Sequence, residues 1–158
     1  LADRKTINAF ALPGGPIFIT EALYSQLQND DQVAGVLGHE IGHVIGRHSA
    51  ERMAKQGFTN SVLTAVAVGS ESEGATQLAA VAGNLINMKY GRGDELESDN
   101  LGVKIMIDAG YDPEALVAVM EILKQAGGPN RTPEFQSTHP DPDNRAEKIR
   151  EAIEQYRK

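Results

Sequence analysis

The chain has 158 residues, a formal net charge of −7 and no cysteine. A chain of this length buries roughly 70% of its unfolded surface, so we expect one domain, residues 1–158, that folds without a disulfide. The lack of cysteine excludes a Cys-ligated metal site and a cysteine nucleophile. The acidic balance, without a strong Lys/Arg block, argues against nucleic acid or an anionic membrane as the main partner. Because the chain starts at Leu1 without a signal-like segment, we expect a fragment of a longer protein.

The N-terminal residues predict a β-hairpin followed by a short helix. Residues 6–12 and 17–19 are strand-like, and Pro13-Gly14-Gly15-Pro16 between them has the composition of a turn. Thr20 is a suitable N-cap for a helix over residues 21–28. Asn29-Asp30-Asp31 then interrupts that helix and caps the next one.

The next predicted helix, residues 30–56, contains the pattern H-E-x-x-H as His39-Glu40-Ile41-Gly42-His43. Two residues four apart lie only about 40° apart around a helix axis, so both imidazoles can reach one metal ion. Glu40 then stands to the side of the two histidines. This is the pattern of a zinc site with its general base.

The same helix also has a stripe of glycines on one side and apolar residues on the opposite side. Glycine inside a helix costs roughly 1 kcal/mol relative to alanine, so a glycine stripe indicates close approach of another backbone. The opposite half is apolar, and we expect it to bury the helix in the core. The stripe consists of Gly35, Gly38, Gly42 and Gly46, and the apolar face of Val33, Leu37, Ile41, Val44 and Ile45.

The rest of the chain predicts helices joined by short breaks. The apolar run 61–68 is too short to span a bilayer, which needs about 20 residues, so we expect a buried or interfacial helix there. Gly110 is a C-terminal stop, and Asp112-Pro113 opens a helix. The predicted helices cover residues 74–90, 94–109, 113–126 and 143–157, and residues 127–138 are predicted to be a loop.

A catalytic zinc usually has three protein ligands, so the pattern needs a third. A metzincin would place a histidine six residues after His43, but that residue is Ser49, and His48 falls one short. We reject that solution. His48 would lie about 140° around the helix from His43, on the apolar side, so we interpret it as a hydrogen-bonded core or rim histidine.

The gluzincin solution takes a glutamate from a second helix. Glu95 and Asp99 are four apart and share a face, so Glu95 can bind the metal while Asp99 accepts a hydrogen bond from a ligand histidine. Asp94 and Glu97 point to other faces, and we expect them to be solvated. The alternative is an acidic first turn that only complements the helix dipole.

Taken together, these motifs resemble the gluzincin peptidase family that contains the CAAX prenyl proteases, the HtpX-type membrane peptidases, the mitochondrial Oma-type peptidases and the bacterial periplasmic BepA and LoiP proteins. Nearly the whole chain takes part. Two small departures are Gly91 before Arg92, where serine is common, and Ser98 before Asp99, where alanine is usual. The matching pieces are Asn8-Ala9-Phe10, Pro13-Gly14-Gly15, the H-E-x-x-H pattern, Arg92 with Glu95, Ser98, Asp99 and Gly102, Ala109-Gly110-Tyr111-Asp112-Pro113, Ser137-Thr138-His139-Pro140 and Arg145.

The resemblance implies an α+β, predominantly helical, zincin-like catalytic domain with a small N-terminal β-sheet. We expect one Zn²⁺ per chain, held by His39, His43 and Glu95, with Glu40 as the general base. In the family, the histidine matching His139 lies near the metal, and the arginine matching Arg145 can pair with the aspartate matching Asp99.

His139 therefore has three open interpretations: a donor that stabilises the transition state, with Arg145 helping to position it, a gate on the open zinc position, or a loop residue that caps the last helix. A protease cleft must hold its peptide in one conformation. We expect an extended substrate beside Asn8, Ala9, Phe10 and Ala11, where main-chain pairing demands no particular side chain.

The expected function is that of a zinc metalloendopeptidase acting on unfolded or misfolded polypeptides in envelope protein quality control. Because no membrane-spanning helix separates the motifs, the periplasmic branch is favoured, with association to the membrane periphery or to outer-membrane proteins. The alternative is a chaperone-like binding domain for outer-membrane proteins with latent or regulated peptidase activity. A purely structural zinc domain is disfavoured by Glu40 beside an open coordination position.

Overall fold

The computed structural model describes residues 4–55, 89–126, 134–140 and 144–158. These residues are mostly helical with one small antiparallel sheet, which confirms the predicted fold class. The predicted helix 61–68 and nearly all of the predicted helix 74–90 lie outside the described residues. The elements are β1 (Ala9–Ala11), β2 (Ile17–Ile19), α1 (Glu21–Tyr24), α2 (Asp30–Ile45), α3 (His48–Lys55), α4 (Arg92–Asp108), α5 (Glu114–Ala126), α6 (Glu134–Thr138) and α7 (Arg145–Tyr156).

The predicted hairpin is confirmed, although its strands are shorter than expected. Phe10 lies opposite Phe18 in the ladder, and the turn uses Gly14 and Gly15 with φ of 90° and 112°. Thr20 caps α1 as predicted, since its Oγ1 accepts the Leu23 N–H at 3.2 Å. The helix then ends at Tyr24 rather than at residue 28.

Helix α2 begins as predicted but ends at Ile45, whereas the predicted helix continues to residue 56. The Asn29 side chain caps it by accepting the Gln32 N–H at 2.9 Å. Its C-cap is Gly46, and the chain then turns at Arg47, which has a φ of 56°. His48 therefore starts a new helix, and the predicted position of His48 on the apolar side of one continuous helix is wrong.

Helix α4 packs against α2 at two glycines of the stripe, Gly38 and Gly42. A Cβ at Gly38 would lie 3.2 Å from the Gly102 carbonyl oxygen, and one at Gly42 would lie 2.7 Å from the Ser98 carbonyl oxygen. A Cβ would overlap the neighbouring backbone at Gly42 and would be tight at Gly38, so the two backbones approach closely at these two glycines, as predicted. This contact brings the histidines of α2 against the acidic residues of α4.

The predicted burial of the apolar face of α2 is wrong. Among the described residues, the buried side of α2 is the one with the glycines and histidines. Val33, Leu37, Ile41 and Val44 are only half-buried, and Ile45 is 57% exposed. A helix presents one side to its closest neighbour, and the glycines make that side the one facing α4. Part of the apolar face instead lines a groove of about 300 Å³ with Ile105 and Tyr111.

The elements after α4 pack behind the site, and the described part of the chain forms two apolar clusters there. Gly110, with a φ of 81°, ends α4 as predicted, and α5 and α7 pack behind it. Residues 134–138, predicted as part of a loop, form α6, which is anchored by the Phe135 N–H on the Ile7 carbonyl at 3.2 Å. No helix within the described ranges is long and apolar enough to cross a membrane. One cluster contains Val103, Met106, Leu116, Val117, Ile149, Ala152 and Ile153; the other contains Ala9, Leu23, Val36, Val119, Leu123 and Phe135.

Because α2 and α4 pack so closely, we expect alanine to lower the free energy of unfolding at a glycine in the contact but not at an exposed glycine. Gly42→Ala places a Cβ against the Ser98 backbone and should lower the free energy of unfolding by about 1–3 kcal/mol. The matched control is Gly93→Ala on the exposed first turn of α4, where a Cβ meets nothing within 4 Å. It should be neutral or stabilising by up to about 1 kcal/mol. Urea unfolding measures both, and equal effects would show that the close approach is unimportant.

Candidate metal centre

Three elements bring four potential metal ligands to one point. His39 and His43 come from α2, Glu95 comes from α4, and His139 follows α6. All four side chains are at most 1% exposed. One ligand atom from each residue lies within 4.8 Å of the others. The expected ligands His39, His43 and Glu95 are therefore together, and His139 lies among them.

The spacing of the ligand atoms fits a tetrahedral ion. The Nε2 atoms of His39 and His43 are 3.1 Å apart. Of the two Glu95 oxygens, Oε2 lies 3.5 Å from Nε2 of His39 and Oε1 lies 3.4 Å from Nε2 of His43. Ligand atoms around a tetrahedral zinc with bonds of about 2.0–2.1 Å lie roughly 3.3 Å apart. Two imidazoles and a carboxylate at this spacing are a donor set that zinc accepts.

His139 occupies the remaining corner of this arrangement. Its Nδ1 lies 3.2 Å from Nε2 of His39 and 3.2 Å from the Glu95 carboxylate. The ring stacks on Phe135 with centroids 4.3 Å apart, and the His139 N–H donates to the Phe135 carbonyl at 2.7 Å. The last turn of α6 thus holds the imidazole at the ligand atoms.

Glu40 is buried beside the four ligands and has no fixed partner. Within the described residues, neither of its carboxylate oxygens has a hydrogen-bond partner. Nε2 of His139 lies 3.6 Å from Oε1 of Glu40. Burial raises the pKa of Glu40. A carboxylate with a raised pKa and free oxygens is suited to accept a proton and to return it.

Asp99 and Arg145 form hydrogen bonds and ion pairs with two of the ligands, His39 and Glu95. His39 donates its Nδ1–H to Asp99 at 2.9 Å, so Nε2 remains free for a metal. Arg145 donates to Asp99 and lies 3.1 Å from Oε2 of Glu95. Burial by itself would raise the pKa of Asp99, but the Arg145 charge and the hydrogen bond from His39 outweigh it and lower the pKa. Asp99 is therefore a carboxylate, which can accept both bonds.

Two of the ligands, His43 and Glu95, have pKa values that suit metal binding. Burial lowers the pKa of His43 to about 2, so its imidazole is neutral. For Glu95, burial opposes ionisation, but the charge of His139 and hydrogen bonds from His139 and His43 hold the pKa well below its usual value. Neutral imidazoles and an ionised carboxylate are the forms that bind a metal.

The residues expected to bind substrate are Asn8 and the three residues of β1 that follow it, outside the ligand cluster. Asn8 is buried, and its Oδ1 has no hydrogen-bond partner within the described part of the chain. Ala9 and Ala11 are buried as whole residues, main chain included, at 0% and 5% exposure. Phe10 is half-buried and stacks on Phe18 with ring centroids 5.2 Å apart. A substrate that pairs with Ala9 and Ala11 would therefore have to reach a main chain that is covered in this structure.

Sequence reasoning missed the aromatic residues around the cluster. Tyr90 stacks on His43 with ring centroids 3.8 Å apart, and its hydroxyl hydrogen-bonds Ser49 at 2.7 Å. Tyr90 was expected at the end of a helix, but its N–H donates to the Thr138 carbonyl instead. Phe135 was placed in a loop. Aromatic residues carry no ligand signal in a sequence, because most of them pack in cores for other reasons.

A helix with two metal-facing histidines, an acidic residue between them and a glutamate from a second helix define a metallopeptidase of the gluzincin type. The family comparison agrees with this class. Residues 1–153 match Peptidase family M48, and the chain belongs to that family.

Relatives come from bacteria and from mitochondria. The chain is 34% identical to the Beta-barrel assembly-enhancing protease of Escherichia coli (strain K12), covering 99% of this chain and 34% of that protein. It is 36% identical to the Mitochondrial metalloendopeptidase OMA1 of Schizosaccharomyces pombe, over 92% of this chain and 43% of the relative. Identity to Metalloprotease YcaL of Escherichia coli is 32%, with 93% and 58% covered. The chain thus spans between a third and three fifths of the length of these relatives.

The geometry predicts that two glutamates of α4 differ in metal binding. Glu95→Gln removes an anionic ligand atom from the cluster and should lower the metal content of purified protein strongly. Glu97→Gln should leave it nearly unchanged, because the Glu97 side chain is 61% exposed and is not one of the four clustered ligands. Elemental analysis after dialysis measures both. The reverse order would move the ligand assignment to Glu97.

Proposed function

We propose that the chain is a zinc-dependent endopeptidase, with one Zn²⁺ held by His39, His43 and Glu95. The observation that carries the proposal is the buried set of ligand atoms at tetrahedral spacing next to the unpartnered carboxylate of Glu40. When bound, zinc supplies Lewis-acid chemistry: it polarises the scissile carbonyl and makes the attacking water more acidic. A ligand set of imidazoles and one carboxylate favours zinc over calcium or magnesium, which prefer oxygen.

The charge of the site supports a divalent cation. Glu40, Glu95 and Asp99 are fully buried carboxyl groups. Arg145 is the one Lys or Arg side chain that is buried in the described ranges. With all three carboxyls ionised and the histidines neutral, as metal binding requires, two negative charges stay unbalanced, and buried uncompensated charge is strongly unfavourable. A dication at the ligand atoms balances them.

Glu40 carries the proton in the proposed mechanism. Its free oxygens can accept a proton from the attacking water and deliver it to the leaving amine. The raised pKa, caused by burial, makes both transfers easier at neutral pH. Asp99 and Arg145 hold His39 and Glu95 in place while the proton moves.

Replacing Glu40 tests the enzymatic proposal. Glu40→Gln should reduce kcat by roughly 10²- to 10⁴-fold, the usual contribution of a general base, while zinc content is unchanged. The measurement is cleavage of a labelled unfolded polypeptide, with metal analysis of both proteins. Cleavage by both proteins, or by neither, would contradict the assignment.

We further propose that substrate pairs with the outer edge of β1. The Asn8 carbonyl and the Leu12 N–H bond to the β2 side of the hairpin, so the main-chain groups of Ala9 and Ala11 face away from β2. The Ile7 carbonyl shares that outer edge and accepts the Phe135 N–H. No strand pairs with this edge in the part of the chain that the structure describes. Because Phe135 stacks on His139, the edge begins beside the metal cluster.

A proline at Ala9 tests the substrate edge. Ala9→Pro removes an N–H from the outer edge and leaves the bonds to β2 intact, so kcat/KM should fall by about tenfold while zinc content is unaffected. A peptide N-methylated near the scissile bond should show a similar loss with the unaltered enzyme. Full activity in both experiments would show that substrate does not pair with the outer edge of β1.

For His139, we propose the role of a gate. Its Nδ1 lies at the spacing of a fourth ligand, so in this conformation it would fill the position that a catalytic zinc keeps open. Substrate access then requires the His139 ring to leave the ligand atoms.

Truncation of His139 separates the three roles of this residue. His139→Ala should raise kcat/KM with zinc still bound, because the fourth position is then always accessible. A fall in kcat of roughly 10²- to 10³-fold at constant KM would instead assign a transition-state donor. No change in either constant would leave only a structural role.

The substrate class follows from the family and from the relatives. A peptidase acts on polypeptides, and an edge-pairing site requires an extended, unfolded segment. Several relatives carry a name that connects them with β-barrel assembly, and single-chain barrels of this kind lie in outer membranes. We therefore place the activity in envelope protein quality control, on misfolded outer-membrane proteins. A buried, gated site also fits the second candidate function, a chaperone-like binder with latent peptidase activity.

A further inference from the structure

The end of helix α2 places His48 directly behind the ligand His43. The helix stops two residues after His43, and Arg47 takes a φ of 56°, which reverses the chain. Gly46 makes room for the returning ring, since a Cβ there would lie 2.4 Å from Nε2 of His48. A side chain at position 46 would therefore displace the imidazole.

The two rings are joined by a buried hydrogen bond. Nδ1 of His43 lies 2.9 Å from Nδ1 of His48, and His48 is only 4% exposed. On its far side, Nε2 of His48 faces the Glu97 carboxylate at 3.4 Å. The Ser98 hydroxyl lies 3.3 Å from Nδ1 of His48. His43, His48 and Glu97 thus form a chain that leads from the ligand cluster to the surface.

The chemistry of the ligand decides the direction of these bonds. A neutral imidazole that offers Nε2 to a metal carries its proton on Nδ1. His43 is therefore the donor, and Nδ1 of His48 is the acceptor. A neutral His48 then carries its proton on Nε2, where Glu97 can accept it. The reverse arrangement would place a proton on the nitrogen of His43 that faces the cluster.

We propose that His48 is a positioning residue that holds His43 in the rotamer and tautomer needed to bind the metal. The proposal rests on the proposed metal site and extends it to a residue outside the H-E-x-x-H pattern. The two ligand histidines are supported differently: His39 bonds the buried carboxylate of Asp99, whereas His43 bonds a second imidazole. A second buried carboxylate would add charge to a cluster that already contains Glu40, Glu95 and Asp99. An imidazole offers the acceptor without the charge.

Two substitutions at His48 distinguish positioning from packing. The Oδ1 of asparagine can replace Nδ1 of histidine as the acceptor, whereas leucine fills similar space with no acceptor. His48→Leu should weaken zinc affinity by about 10- to 100-fold, and His48→Asn should stay within about threefold of wild type. Chelator competition measures the affinity, and urea unfolding of the chelated proteins checks that the fold is retained. Equal weakening in both variants, or none in His48→Leu, would overturn the proposal.

Nitrogen NMR provides a test that needs no variant. The chain contains four histidines, and all four belong to this region, so a ¹⁵N-histidine-labelled protein gives a spectrum with four imidazoles. In the zinc-loaded protein, His43 should carry its proton on Nδ1 and His48 on Nε2. A His48 proton on Nδ1 would refute the proposal. If wild type binds no zinc, the proposed function itself fails; if it binds zinc and His48 proves irrelevant, only this inference fails.

Discussion

The packing of α2 on α4 is the contact on which the site depends. A Cβ at Gly42 would overlap the Ser98 backbone, and one at Gly38 would press tightly on Gly102, so the two helices pack with their backbones in close contact. At that distance His39 and His43 reach the carboxylate of Glu95. A larger side chain at either glycine would move α4 outward, and the ligand atoms would no longer share one point. The glycines lower helix propensity, but they determine the distance between the ligands.

Electrostatics imposes the second constraint. Glu40, Glu95 and Asp99 are buried within one region and share a single buried arginine in the described residues. Arg145 contacts two of the three carboxylates, while Glu40 has no hydrogen-bond partner among the described residues and lies 3.6 Å from Nε2 of His139. This distribution separates the roles: the carboxylates next to Arg145 are kept ionised and fixed, while Glu40 stays available for a proton. A cation at the ligand atoms completes the balance.

The surroundings of the cluster close it from several sides. Tyr90 covers His43, Phe135 covers His139, and His139 itself lies against the ligand atoms. Among the described residues, the outer edge of β1 leads toward this enclosure through the Ile7 to Phe135 bond. An enclosed site beside a strand edge that no described strand pairs with suits a peptidase that admits only extended chains. The family assignment, Peptidase family M48, agrees with such chemistry.

The sequence by itself determined what depends on spacing along one helix. His39 and His43 share a face because the helical period is 3.6 residues, and the same rule joins Glu95 to Asp99. It could not determine what depends on competition between distant segments. The glycine side of α2 is buried rather than the apolar side, because α4 approaches closest there. The turn at Arg47 brings His48 against His43. The residue types there do not predict this turn, because a positive φ is uncommon outside glycine. His139 lies next to His39, one hundred residues earlier in the chain, because Phe135 anchors α6 beside β1. Only the folded chain determines the distance between these two histidines.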